Sequence, residues 1–328
     1  MRVLFITATR IGDAVLSSGV LNHLIRIHPE ARFTVACGPL AAPLFRAAPR
    51  VDAVIVMRKK KAGGHWIDLW RATVSQRWDL VVDLRGSLIS RLLRARKRAV
   101  KRKERESVVR HKVVEAAAVL GLESPPDTTV WLDEPARVRA EVELGSYPSV
   151  LALSASASWV FKEWAPERFS ELARRLTALD GSLPGACIAL FGGPGDETTA
   201  AKVIQGLDGR AVVDLTGKLD LVEAAACLQR ARLFVGNDSG LMHIAAAAQT
   251  PTLGLFGPTD ERLYAPWGEG TQIIRAGDRF KDHERAALAA SQTQSLMGTL
   301  KVAAVETAAK TLLAGTAWTF DSERTARA

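Results

Sequence analysis

Cysteine is scarce in this chain: three in 328 residues (Cys37, Cys187, Cys227), widely separated, with no C-x-x-C pair and no histidine at ligand spacing. That excludes a disulfide scaffold, argues against a zinc centre and points to a reducing compartment. No run approaches the roughly 18–20 consecutive apolar residues that span a bilayer. The apolar stretch Val3-Leu4-Phe5-Ile6 is too short for the core of an export signal and reads as a first strand, so a cytoplasmic location is expected. Aromatic residues make up only 6% of the chain, and none falls between Arg91 and Lys112, where eleven Lys and Arg face two Glu. A basic block without aromatics offers no platform for base stacking, so nucleic acid is not the expected partner.

What is present is the composition of an ordinary globular protein, 48% hydrophobic and 24% charged, in a chain long enough for two cores. The net charge of +9 is concentrated in the basic block. Such a block is either a solvated face or a patch for an anionic partner: phospholipid headgroups or a phosphorylated substrate.

Short apolar runs alternate with helical stretches. Residues 3–7, 33–36, 53–56 and 80–83 read as buried parallel strands, and 14–27 and 88–97 as helices. The alternation lapses over 123–148, rich in proline and charge, which reads as a linker. It resumes with strands at 150–153, 187–191, 212–215, 233–235 and 252–256, separated by helices at 167–179, 198–205, 221–229 and 241–248. A last helix is expected at 302–313. Two such series predict an α/β chain of two doubly wound domains, 1–145 and 146–315, followed by a polar tail, 316–328. In these sheets ligands lie beyond the carboxyl ends of the strands, so the chemistry belongs in the loops that follow strands.

The first strand leads into Arg10-Ile11-Gly12-Asp13. Gly12 permits a tight turn or close approach of a substrate, and Asp13 is either a helix cap or a general base for an acceptor hydroxyl. A tightly capped carboxylate has a lowered pKa and makes the weaker base. Further on, a strand runs into Gly236-Asn237-Asp238-Ser239-Gly240 and then an alanine-rich helix, a small-residue turn whose free N–H groups favour a phosphate. The turn is neither a Walker A loop nor a G-x-G-x-x-G fingerprint. Asp238 suits sugar hydroxyls better than phosphate, and His243 is a core histidine or a ligand contact. Lys162 is a surface lysine or the cation that neutralises a diphosphate. In Gly192-Gly193-Pro194-Gly195-Asp196-Glu197, Asp196 or Glu197 either accepts from ribose hydroxyls or caps the next helix.

The residues Arg10-Ile11-Gly12-Asp13, Lys162-Glu163-Trp164-Ala165-Pro166-Glu167-Arg168-Phe169, the Gly192–Glu197 loop, Asn237-Asp238-Ser239-Gly240-Leu241-Met242-His243 and Phe256-Gly257-Pro258-Thr259-Asp260 occur in the order seen in glycosyltransferase family 9, which the chain resembles. The resemblance covers most of the chain. It implies a GT-B fold, two Rossmann-like domains facing each other across a cleft, with acceptor on the first and nucleotide-sugar donor on the second. It further implies inverting, metal-independent transfer from ADP-heptose to a lipopolysaccharide-core or other anionic glycolipid acceptor, with no cofactor. By the same resemblance Asp13 is the base, with Arg10 and Gly12 on the acceptor side. Lys162 binds phosphate, Glu197 the ribose, Asp238 the sugar, Ser239 and Gly240 the diphosphate, and His243 lies on the following helix. The chain departs from many members in having no cysteine across 276–295.

Two other functions fit parts of the pattern. A GT-B epimerase or hydrolase acting on the nucleotide sugar keeps the fold but leaves Asp13 without a task. A non-catalytic protein docking on membranes or nucleic acid uses the basic block but leaves the donor loops without one. A peripheral position at the inner membrane surface, through the segment from Arg91 to Lys112, is compatible with the transferase.

Overall fold

A computed structural model describes residues 1–102, 109–277 and 294–316. The chain forms two compact units, Met1–Trp131 and Leu132–Ala328.

The first unit is built on five parallel strands: β1 (Arg2–Ile6), β2 (Arg32–Cys37), β3 (Val51–Val56), β4 (Arg77–Asp83) and β5 (Arg94–Val100), in the order β3-β2-β1-β4-β5. Helices α1 (Ile11–Ile27), α2 (Ala42–Arg46), α3 (Gly64–Thr73), α4 (Ile89–Leu92) and α5 (Lys112–Ala118) accompany them. The central β1 reads as a pure apolar run because helices cover both faces of a parallel sheet. Val3 to Ile6 are completely buried. Helix α1 buries most of its length and passes so close to the chain at Pro126-Asp127 that a Cβ on Gly19 would lie 2.3 Å from the Asp127 carbonyl oxygen.

The second unit carries six parallel strands: β6 (Val150–Ser154), β7 (Cys187–Leu190), β8 (Val212–Asp214), β9 (Leu233–Asn237), β10 (Thr252–Phe256) and β11 (Thr271–Arg275), ordered β11-β10-β9-β6-β7-β8. Its helices are α6 (Glu134–Leu144), α7 (Pro166–Leu176), α8 (Glu197–Gln205), α9 (Leu221–Gln229), α10 (Gly240–Ala247), α11 (Glu261–Tyr264) and α12 (Val302–Gly315). Trp164 anchors the core, fully buried with its ring edge-on to Phe169 at 5.0 Å and its indole Nε1 donating to the Leu300 carbonyl at 2.9 Å.

Three sequence expectations need correction. The helix expected at 88–97 is one short turn, α4, followed by the edge strand β5. Leu93 turns extended and buries its side chain, and the Arg98 guanidinium holds the corner by donating to the carbonyls of Ser90 and Leu93. Pairing with β4 thus overrides the helix-forming composition. The stretch 123–148 is not wholly a linker, since it contains α6. Asp133 caps that helix by accepting from the Ala136 N–H at 3.0 Å, and Pro135 starts its first turn. Helix α6 packs on α9, and Arg230 bonds Glu141 at 2.6 Å. The division into units therefore falls at 131/132, ahead of the expected 145/146. Strand β11 was not expected at all. The polar tail, apart from Thr316, and most of the cysteine-free stretch lie outside the described residues.

Candidate functional site

In each sheet the strand order reverses once, between β1 and β4 in the first unit and between β6 and β9 in the second. A reversal sends the following connections to opposite faces and opens a crevice at the strands' carboxyl ends. Arg10, Gly12 and Asp13 follow β1, and Lys162, Asp238, Ser239, Gly240 and His243 follow β6 and β9, at these places, whereas Glu197 follows β7.

In the first unit, Thr7 follows β1 and its hydroxyl meets that of Ser17 at 2.6 Å. The next loop passes against Gly38, where a Cβ would lie 2.5 Å from the Thr9 Cα, so glycine is required there. Arg10 occupies the N-cap position of α1 without a side-chain capping bond, and Asp13 falls in the first turn. Asp13 is therefore not the cap, and Gly12 lies within the helix rather than in a tight turn before it. Arg10 and Asp13 line a cavity of about 400 Å³ together with Arg85, Lys101, Lys112 and Glu115. Burial raises the Asp13 pKa above its ordinary value. Arg10, Lys112 and Lys101 oppose the rise, and Glu115 adds to it. The carboxylate is thus a stronger base than a capped one.

In the second unit, β9 ends in the fully buried Asn237, whose amide ties three segments together. Its Oδ1 accepts from the Trp164 N–H at 3.1 Å and its Nδ2 donates to the Ala155 carbonyl at 2.6 Å. Asp238 follows, and its Oδ2 accepts from Lys162 Nζ at 2.5 Å and Thr259 Oγ1 at 2.7 Å. The Lys162 and Asp238 side chains are 13% and 7% exposed. Asp238 is thus held by the two residues that flank it, where the sequence pointed to sugar hydroxyls. Ser239 is the N-cap of α10 but its hydroxyl is not used in capping. Its Oγ is buried with no hydrogen-bond partner among the described residues, and Gly240 opens the helix. His243 lies one turn on, buried.

The loop after β7 separates the two acidic residues that the sequence left undecided. Asp196 turns back to accept from the Gly193 N–H at 2.8 Å and so closes the loop. Glu197 accepts from the Gly195 N–H at 2.8 Å but remains exposed in the first turn of α8. Glu163 accepts from the Ala157 N–H at 3.0 Å, and burial raises its pKa.

Sequence reasoning missed Thr259 as the hydroxyl partner of Asp238, although it stands in the Phe-Gly-Pro-Thr-Asp motif. It also missed Lys101, Lys112 and Glu115 as neighbours of Asp13. Within the basic block nothing distinguishes those two lysines from the other nine cations.

Two Rossmann-like units, each with polar residues at its strand-order reversal, make up the architecture of the GT-B fold. The family model described as "Glycosyltransferase family 9 (heptosyltransferase)" matches residues 90–293, and the chain belongs to that family. It is 28% identical to the lipopolysaccharide heptosyltransferase 3 of Escherichia coli over 299 residues, 81% of this chain and 86% of that one. Among solved structures, a glycosyl transferase family 9 protein from Veillonella parvula superimposes with a TM-score of 0.79 at 21% identity, covering 96% and 98% of the two chains. The E. coli heptosyltransferase WaaC with ADP does so at 0.69 and 22%, covering 95% and 100%. Among the described residues no helix is long and apolar enough to cross a membrane.

Proposed function

We propose that this chain transfers a heptose from ADP-heptose to a lipopolysaccharide-core or similar anionic glycolipid acceptor, with inversion and without a metal ion. The observation that carries the reading is Asp13, a carboxylate raised above its ordinary pKa by burial inside a basic cavity. Asp13 takes the proton of the acceptor hydroxyl as its oxygen bonds to the anomeric carbon. The bond from that carbon to the diphosphate breaks in the same displacement, which inverts the configuration, and ADP departs.

Charge developing on the leaving diphosphate is met by Lys162 and by the N–H groups at the start of α10. The unpaired Ser239 hydroxyl at that helix start suits a phosphate oxygen. Exposed Glu197 accepts from the ribose hydroxyls, and Asp238 engages the sugar once Lys162 turns to the diphosphate. Support for ADP as the nucleotide comes from WaaC, whose structure contains it. Arg10 and Gly12 belong to the acceptor side.

The enzyme acts at the cytoplasmic membrane surface, a reading supported by Leu88 and Leu92. They stand 73% and 63% exposed beside exposed Arg91, Arg94 and Arg96. Binding to anionic but not neutral vesicles is the expected result.

The deciding experiment offers ADP-, UDP- and GDP-sugars with a delipidated lipopolysaccharide core, in EDTA, and follows product and free nucleotide. Transfer from the ADP-sugar, abolished by Asp13→Ala, is expected. Preference for UDP or GDP, or retained turnover in the variant, sinks the reading.

A further inference from the structure

We infer that Arg275 is a positioning residue for the donor sugar: from the edge strand β11 it fixes the Thr259 carbonyl, and Thr259 in turn sets the Asp238 carboxylate. The inference rests on the proposed contact between Asp238 and the sugar.

The link begins with register. Strand β11 pairs with β10 so that Arg275 stands opposite Phe256, the last residue of β10, and the Ala276 N–H donates to the Phe256 carbonyl at 2.8 Å. From there the Arg275 Nη1 reaches the loop that leaves β10. It donates to the Thr259 carbonyl at 2.8 Å and to Oε2 of Glu261, the first residue of α11, at 2.5 Å. The loop is also held at both ends. A Cβ on Gly257 would lie 2.7 Å from the Met297 sulfur, and Asp260 caps α11 by accepting from the Arg262 N–H at 3.0 Å. Thr259 lies between, 2% exposed, and its hydroxyl donates to Asp238 Oδ2 at 2.7 Å. Arg275 thus pins the backbone of the residue whose side chain holds Asp238.

Stability alone does not account for this arrangement. The Arg275 and Glu261 side chains are 16% and 12% exposed, and a buried ion pair repays its desolvation poorly. The Arg275 Nη2 is buried with no hydrogen-bond partner among the described residues, which adds a further cost. What the guanidinium supplies is direction: a planar group anchored on Glu261 presents its N–H to the Thr259 carbonyl in one geometry. That geometry matters most during turnover. Asp238 Oδ2 accepts from both Lys162 and Thr259, so when Lys162 turns to the diphosphate the Thr259 hydroxyl is what keeps the carboxylate aimed at the sugar. A hydroxyl donating to a carboxylate makes a charge-assisted bond, strong enough to hold that aim while its own backbone stays fixed.

The test measures binding of ADP and of ADP-heptose to the full chain by calorimetry, without acceptor. ADP carries the diphosphate but no sugar, so a defect at Asp238 falls on ADP-heptose alone. Arg275→Gln should weaken ADP-heptose at least about tenfold while ADP affinity holds, the size of one lost charge-assisted hydrogen bond. Arg275→Lys keeps the charge beside Glu261 and should restore part of the loss. Thr259→Val leaves the ion pair intact and should show the same selective loss. Because Arg275 acts through Thr259, Arg275→Gln added to Thr259→Val should cost nothing more. In transfer assays the donor KM of Arg275→Gln rises more than its kcat falls. Equal losses for the two ligands, no loss, or additive losses overturn the inference. Should Arg275→Gln not fold, Arg275→Lys, alone and with Thr259→Val, carries the same comparison. Asp238→Ala separates the two readings. If it spares ADP-heptose affinity, the sugar assignment falls and the inference with it; if it weakens ADP-heptose and Arg275→Gln does not, only the inference falls.

Discussion

Replacing Lys162 by methionine removes the cation from a pair whose partner is largely buried. Asp238 is 7% exposed and is left with the Thr259 hydroxyl alone. Breaking a buried pair by deleting one member typically costs about 3–5 kcal/mol, because the surviving charge has lost its compensation. For a unit of this size each kcal/mol lowers the melting temperature by roughly 2–4 °C, so a drop of about 6–20 °C is expected in the transition of the second unit. Adding Asp238→Asn should recover most of it, since a neutral amide still accepts from Thr259 and no longer needs a cation. The double-mutant cycle therefore has a large positive coupling. The same lysine is assigned to the diphosphate, and losing a charged hydrogen bond of about 1.5–3 kcal/mol weakens ADP roughly 10- to 150-fold. That loss is not recovered by Asp238→Asn. Circular dichroism melts of the four proteins, with calorimetry for ADP, separate the two effects. Additive melting temperatures refute the buried pair, and recovery of ADP affinity in the double variant refutes the lysine's direct role.

Asp13→Asn should lower kcat about 10²- to 10⁴-fold with ADP affinity retained, as removal of a general base does. The same change should stabilise the fold. The folded pKa is raised, so the stability this carboxyl contributes is fully present below its unfolded pKa and is lost as pH rises through the folded one. The variant is therefore the more thermostable near neutrality, and the advantage vanishes in acid; an advantage independent of pH contradicts the cause. Gly19→Ala forces a Cβ to 2.3 Å from the Asp127 carbonyl and should destabilise the first unit by about 1–3 kcal/mol, read from urea unfolding. Cys37, Cys187 and Cys227 are buried, and burial pushes their thiols up to about 12, about 11 and about 12. Iodoacetamide at pH 8 should therefore label none of them until the chain is unfolded. Rapid labelling of the native protein counts against the placement of those strands and helices.

The two sheets were legible because a strand buried on both faces writes itself as an apolar run, and β10 matches its sequence expectation to the residue. Strand β5 was illegible for the opposite reason. Arg-Ala-Arg-Lys-Arg-Ala-Val pairs on one side only and shows solvent a row of cations, so neither its period nor its hydropathy marks a strand. Helix α6 hid behind proline and charge because it buries only Ala136, Ala140 and Leu144, too narrow a stripe to stand out. At the candidate sites the residue types could be read but their partners could not. Lys162 meets Asp238 across 76 positions, and only the β6/β9 neighbourhood brings them together. Whether Asp13 caps α1 turned on where the helix begins, a matter of a residue or two that local sequence does not fix.

Helix α6 also decides where this chain can be cut. A gene fragment beginning at residue 146, the border that composition suggests, would discard the helix and bare the side of α9 that it covers, together with the Arg230 guanidinium that Glu141 engages. Such a fragment would carry a new exposed apolar stripe, the makings of self-association. One beginning at residue 132 keeps its own lid. Exchanging first units between related transferases should accordingly splice at Trp131-Leu132, so that α6 travels with the unit it insulates.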